Sequence, residues 1–172
     1  MRSNRLKPIT PEQELQAMTA LLDLVGDTPE LDLALDRILQ VVCNLLGADD
    51  GSIGLTELDG TAIRIRATHC MPSSERGSVF RKGEGLAGAV LASRAPVRLD
   101  RYSEIPGALS QGLDDNAVLG VPALWHGELV GFFGLGRRPP RTFDEDDERL
   151  LLRFSQYAAI VIHESWTRAE SK

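Results

Sequence analysis

Cysteine is close to absent: Cys43 and Cys70 are the two thiols in 172 residues, and they form no C-x-x-C pair. That excludes a disulfide-stapled scaffold and a cysteine zinc site, and it points to free thiols in a reducing, cytoplasmic setting. Positive charge is in deficit, with 19 Lys and Arg against 25 Asp and Glu for a net charge of −6. A nucleic-acid backbone would be repelled on average, and no basic face offsets this. The densest basic group, Arg137, Arg138 and Arg141 around Pro139-Pro140, reads as a solvated turn. No run approaches the roughly 18 apolar residues of a membrane span. The N-terminal MRSNRLKPIT carries charge with no apolar stretch after it, so neither a signal peptide nor a membrane partner is expected. Histidine is sparse as well. His69, His126 and His163 lie far apart with no H-x-x-x-H or H-E-x-x-H spacing, so no metal and no resident cofactor is expected. His69 beside Cys70 would need a distant third residue to make a site.

What is present is an ordinary globular balance, 42% hydrophobic and 26% charged, at a length that suits one domain. Residues 12–25 read as a helix with Thr10 as N-cap and Pro11 in its first turn; Leu15, Met18, Leu22 and Val25 form a seam, and Gly26-Asp27 breaks it. Thr28 and Pro29 open a second helix with Leu31, Leu35, Ile38, Val42 and Leu45 on one face and Gly47 as its stop. From Gly51 the period changes to two. Residues 52–58 and 62–68 read as a hairpin turning at Asp59-Gly60, with Ile63, Ile65 and Ala67 on its buried face. Residues 71–84 read as loop, 85–93 as a short helix and 97–100 as a short strand. Residues 101–116 are irregular with one helical turn around Ala108. A second hairpin, 118–125 and 129–137, turns at His126-Gly127. Asp144 caps a last helix to about Thr167, with the acidic run 145–148 on its positive end and Phe143 as a hydrophobic staple.

Gly83, Gly85 and Gly88 spell a G-x-G-x-x-G. A dinucleotide fold is excluded because the strand before it is barely three residues and Asp100 follows Gly88 by only twelve positions. Two readings stay open: a tight loop-to-helix turn, or helix amides facing an acidic ligand group. No G-x-S-x-G elbow is present, and the carboxylates at 144–147 are consecutive at a helix start, where they serve the dipole and solubility. Asp114-Asp115 reads as turn-forming.

Five runs in order carry a resemblance: Lys82-Gly83-Glu84-Gly85-Leu86-Ala87-Gly88, Val97-Arg98-Leu99-Asp100, Val118-Leu119-Gly120-Val121-Pro122, Gly127-Glu128-Leu129-Val130-Gly131 and Phe143-Asp144-Glu145-Asp146-Asp147. Together they resemble a GAF domain over residues 28–165. The order of helices and strands independently indicates an α+β sandwich. The resemblance implies a central antiparallel sheet of five or six strands, terminal helices on one face, and loops and short helices closing a pocket on the other. Residues 1–27 would form a dimerisation or linker helix and 166–172 a tail or linker.

Members of the family bind cyclic nucleotides, bilins, haem, nitrate or amino-acid-like effectors, and many serve in dimerisation and signal relay. This chain departs from the specialised types. The Asn-Lys pair of cyclic-nucleotide members is missing before Phe143, no cysteine suits a bilin, and residues 112–116 lack the histidine of haem members. The family's free methionine sulfoxide reductases use cysteines where this chain has Ala87 and in the loop before the fourth strand; residues 101–117 contain none. The resemblance therefore implies a non-catalytic sensor that binds a small-molecule effector, forms a homodimer through its terminal helices and serves a downstream output domain. The last helix would join that route through Leu151, Phe154, Ala158, Val161 and Ser165, unless both seams pack on the chain's own sheet. The alternatives are a ligand-free structural dimerisation module and, least favoured, the reductase. Family position and strand alternation nominate Arg64, Arg66, Phe80, Leu86, Asp100, Asn116 and Phe133 for the pocket. The two arginines either pair with an anionic ligand or lie in solvent.

Overall fold

The computed structural model describes residues 8–27, 30–57, 59–105 and 115–170. Helix α1 spans Pro11–Asp27, running through the expected break at Gly26-Asp27. Its start is a reciprocal capping box: the Gln13 N–H donates to Thr10 Oγ1 and the Thr10 N–H to Gln13 Oε1. Helix α2, Leu31–Leu46, begins after Glu30 and ends at Gly47, whose left-handed φ of 61° lets its N–H reach the Cys43 carbonyl. The expected cap at Thr28 and Pro29 lies outside the described residues, as do Leu58, the turn at Ala108, Asp114 and the Val25 side chain. Strands β1 (Asp50–Glu57) and β2 (Ala62–His69) follow, with Asp59 and Gly60 both at positive φ between them. Then come β3 (Val79–Arg81), α3 (Gly85–Ser93), β4 (Val97–Leu99), a 3-10 turn at Tyr102–Glu104, β5 (Ala117–Trp125), β6 (Glu128–Arg137) and α4 (Glu145–Glu170).

The six strands form one sheet in the order β3-β2-β1-β6-β5-β4, with every pairing antiparallel. One face carries α1, α2 and α4 over a core that includes Leu35, Leu39, Ile53, Leu119, Phe133, Leu151 and Phe154. The other carries α3 over Ile63, Ile65, Phe80, Val90 and Phe132. The expected α+β sandwich, with terminal helices on one side and a short helix on the other, is the structure found.

Two bulges set which side chain faces which layer. In β2, Ile65 pairs with Gly54 and Ala67 with Ile53, so Arg66 is an extra residue. Ile63 and Ile65 face α3, while Ala67, expected beside them, turns to the helical core. In β6, Leu129 pairs with Leu124 and Gly131 with Ala123, making Val130 the extra residue. Beyond it, Phe132 faces α3 and Phe133 the helical core.

The helical seams also divide. Leu151, Phe154, Ala158 and Val161 of α4 are buried on the chain's own sheet side. On α1 it is Ala17 and Leu21 that are buried, whereas Leu15 and Leu22 are 65% and 61% exposed. The arginine turn is solvated at Arg138, Pro139 and Pro140, as expected, but not at Arg137. Arg137 is 1% exposed and donates to the Thr142 carbonyl (2.7 Å), to Asp147 Oδ2 (3.0 Å) and to the Leu46 carbonyl. Asp147 is fully buried and also completes a capping box with Asp144, each N–H donating to the other's carboxylate at 2.9 Å. Phe143 lies under the Arg137 guanidinium, 4.3 Å from the ring centre, and the residue a staple would touch is the charged Glu148.

Candidate functional site

A small hollow, with a cavity volume of about 40 Å³ and partly open to solvent, lies between the sheet and α3. Its floor is built by β1, β5 and β6 through Asp50, Ser52, Val118, Phe132 and Gly134. Ile65 and Phe80 form one wall, Leu86 and Ala87 of α3 the cover, and Met71, Glu75 and Tyr102 the remaining boundary. The glycines beneath it are spatial requirements. A Cβ on Gly134 would meet the Phe132 ring and Leu86, and one on Gly136 would overlap the Asp50 carboxylate. The G-x-G-x-x-G run is a tight turn that holds the cover down: Gly83 and Gly85 sit at φ of 84° and 61°, and Gly88 packs so closely that a Cβ would strike the Arg81 carbonyl. Glu84 at its start accepts from the Arg81 N–H at 3.1 Å.

Asp50 is the polar centre of the floor. It is 8% exposed, and its Oδ2 accepts from the Asn116 amide at 2.9 Å. Burial, reinforced by the charge of Asp49, lifts its carboxyl from 3.8 to about 6, against the hydrogen bond from Asn116 and the charges of Arg138 and His69. Asp49 behaves oppositely. In spite of partial burial it is held below the usual carboxylate range by the Arg138 N–H (2.7 Å) and by the guanidinium of Arg141. Burial first, and then the charge of Asp50, pushes the Cys43 thiol up to about 12, which makes it a poor nucleophile. Cys70 is exposed with its sulfur 3.6 Å from His69 Nε2. Among the described residues no group of three His, Cys, Asp or Glu is placed to hold a metal ion.

Of the seven residues nominated from the sequence, Phe80 and Leu86 line the hollow. Asn116 stands behind it, holding Asp50. Phe133 faces the helical core because the Val130 bulge reverses the phase of β6, and its neighbour Phe132 takes the lining position. Arg64 is tied to Glu57 by two bonds of 2.8 and 3.0 Å and to the Gly77 carbonyl; Arg66 pairs with Asp32 of α2 at 2.7 Å. Neither arginine lines the hollow, and Asp100 is exposed beyond β4. Sequence reasoning missed Asp50, Ser52, Glu75 and Tyr102. A signal for the first two was available: Asp50 and Ser52 share one strand face immediately before an apolar alternation. A wider furrow at the far end of the sheet passes Thr56, Glu57, Arg94, Glu128 and Trp166. Two of its charges are engaged, Glu57 with Arg64 and Arg94 with the Gly127 carbonyl.

An antiparallel six-stranded sheet with terminal helices behind it and a covered hollow in front is the GAF arrangement, and a family model described as GAF domain matches residues 28–163. The chain belongs to the GAF family. It is similar to the Nif-specific regulatory protein of Azotobacter vinelandii, with 28% identity over 115 residues, 64% of this chain and 22% of that regulator. The chain thus spans about a fifth of the length of that relative. Among solved structures it resembles the GAF domain from a phosphoenolpyruvate-protein phosphotransferase of Coxiella burnetii (TM-score 0.80, 23% identity, covering 92% of this chain and 98% of that one). It also resembles the free methionine-R-sulfoxide reductase from Neisseria meningitidis, solved in complex with its substrate (TM-score 0.77, 14% identity, 98% and 99% covered). At such low identity these two likenesses establish the fold alone. Among the described residues no helix is long and apolar enough to cross a membrane.

Proposed function

We propose that this chain is a non-catalytic cytoplasmic regulatory module: a small effector occupies the hollow under α3, and its presence is relayed through the terminal helices to an output domain. The observation that carries the reading is that β5 and β6 form the floor of the hollow with one face and the seat of α4 with the other. A ligand that repacks Phe132 or Val118 therefore acts on the strands against which Phe154 and Ala158 are packed. α1 is tied to α4 by the Glu14–Arg153 ion pair, which links it to that seat through α4. The regulatory relative supports the class of function. Ala87 at the cover and the buried Cys43 speak against thiol chemistry in the hollow.

The test is thermal unfolding against a metabolite panel. A true effector raises the midpoint progressively as its concentration passes its dissociation constant, adding about 2.7 kcal/mol of stability at a hundredfold excess over it. A flat response across the panel favours the second reading, a ligand-free dimerisation module. The exposed Leu15 and Leu22 on α1, with Tyr157 and Ile160 on α4, support dimerisation under either reading. Light scattering of Leu15→Glu/Leu22→Glu should then report monomer where the unmodified chain is a dimer. Turnover of free methionine sulfoxide with added thiol would overturn the non-catalytic assignment.

A further inference from the structure

The lining of the hollow is acidic where it is polar. Asp50 and Glu75 contribute carboxylates, Ser52 and Tyr102 hydroxyls, and among the described lining residues none is Lys or Arg. The rest is apolar, with Ile65, Phe80, Leu86, Val118 and Phe132 prominent. Asp50 is more than nine-tenths buried, and among the described residues its hydrogen-bond partner is Asn116, on Oδ2. Its Oδ1 lies against Gly136, where a Cβ would come within 2.2 Å of it. The arginines that would suit an anion are engaged elsewhere, Arg64 with Glu57 and Arg66 with Asp32.

We propose that the effector of this hollow is a compact apolar molecule bearing a protonated amine, which Asp50 accepts at the floor and Glu75 meets at the rim. This rests on the reading of the hollow as an effector site and narrows it to a ligand class. The charged and titratable groups acting on Asp50 are Asp49, Arg138, His69 and Cys43, and none of these lines the hollow. The raised carboxyl of Asp50 fits the assignment, since an ammonium partner would favour its charged form and lower its titration.

Three probes of one shape separate the possibilities at pH 7.5: isobutylamine, isobutanol and isobutyrate, titrated by calorimetry and by amide NMR of the full chain and of Asp50→Asn. The amine should bind most tightly, and Asp50→Asn should weaken it by at least about tenfold while leaving isobutanol unchanged. Isobutyrate or isobutanol binding as well as the amine would overturn the cation assignment and leave the effector site standing, as would unaltered amine affinity in Asp50→Asn. Absence of any shift at Leu86 and Ala87 with all three would remove the effector site as well. The unmodified chain gives a second readout. Saturation with isobutylamine should move the Asp50 carboxyl ¹³C titration to lower pH, and a midpoint that stays in place counts against the inference.

Discussion

Asp147→Asn tests the joint at which β6, α2 and α4 meet. The Arg137 guanidinium is enclosed there at 1% exposure and reaches the Thr142 carbonyl, both Asp147 oxygens (3.0 and 3.4 Å) and the Leu46 carbonyl at the end of α2. Its charge is matched within this enclosure by Asp147, which is itself fully buried. Replacing the carboxylate by an amide keeps the shape and removes the matching charge, and breaking a buried pair from one side costs about 3–5 kcal/mol. Against a total stability of roughly 5–15 kcal/mol this is a large fraction, and it corresponds to a fall of about 6–20 °C in the unfolding midpoint for a domain of this size. Arg137→Met should cost a similar amount, because it strands Asp147. The double variant Arg137→Met/Asp147→Asn should recover much of the loss, since no charge is then left unmatched. Urea unfolding at constant slope measures all three. Single losses below about 1 kcal/mol, or a double variant costing the sum of the two, would refute the claim that this pair is a coupled buried unit.

Asp50 makes stability depend on pH. The unfolded carboxyl titrates near 3.8 and the folded one near 6, so between those values the folded chain keeps a proton that the unfolded chain has released. Stability therefore falls as pH rises through that window, by roughly 3 kcal/mol in all, and Asp50→Asn should flatten the profile and raise the denaturation midpoint at pH 7. Gly136→Ala should destabilise by about 1–3 kcal/mol because its methyl meets the Asp50 carboxylate, and most of that cost should vanish in an Asp50→Ala background; equal costs in both backgrounds would contradict the proposed clash. Gly88→Ala faces the Arg81 carbonyl, which is backbone and cannot swing away, so a loss of about 3 kcal/mol or more is expected by thermal unfolding.

The architecture was legible from the sequence because its signals are local. Thr10 and Asp144 cap helices where they were expected, Gly47 ends one, and Asp59-Gly60 and His126-Gly127 take the positive φ that tight hairpins need. The short helix 85–93 was read at its true bounds. The lining of the hollow was less legible because it depends on strand phase, and phase is broken twice. An extra residue at Arg66 and another at Val130 each exchange the faces of everything beyond, so strict alternation sends Ala67 and Phe133 to the wrong layer. A bulge leaves little trace in a single strand, since it is defined by the partner's register.

Charge was misread for a related reason. Arg137 and Asp147 each sit among like residues, Arg138 and Arg141 on one side and Asp144 to Glu148 on the other, and composition alone assigns both groups to solvent. What separates Arg137 from its neighbours is that it ends a strand whose carbonyl and helix partners surround it, a tertiary fact. The same logic governs the ligand class. Counting arginines on β2 suggests an anion, but Glu57 and Asp32 lie close enough to occupy both. Under the proposal, the charge offered to a ligand is what the described lining residues carry on the inner face, and these are the carboxylates of Asp50 and Glu75. An anionic effector would have to be held against Asp50 and Glu75 with no cation among the described lining residues to offset them, which is why the sign of the bound probe decides between the two pictures more sharply than its size.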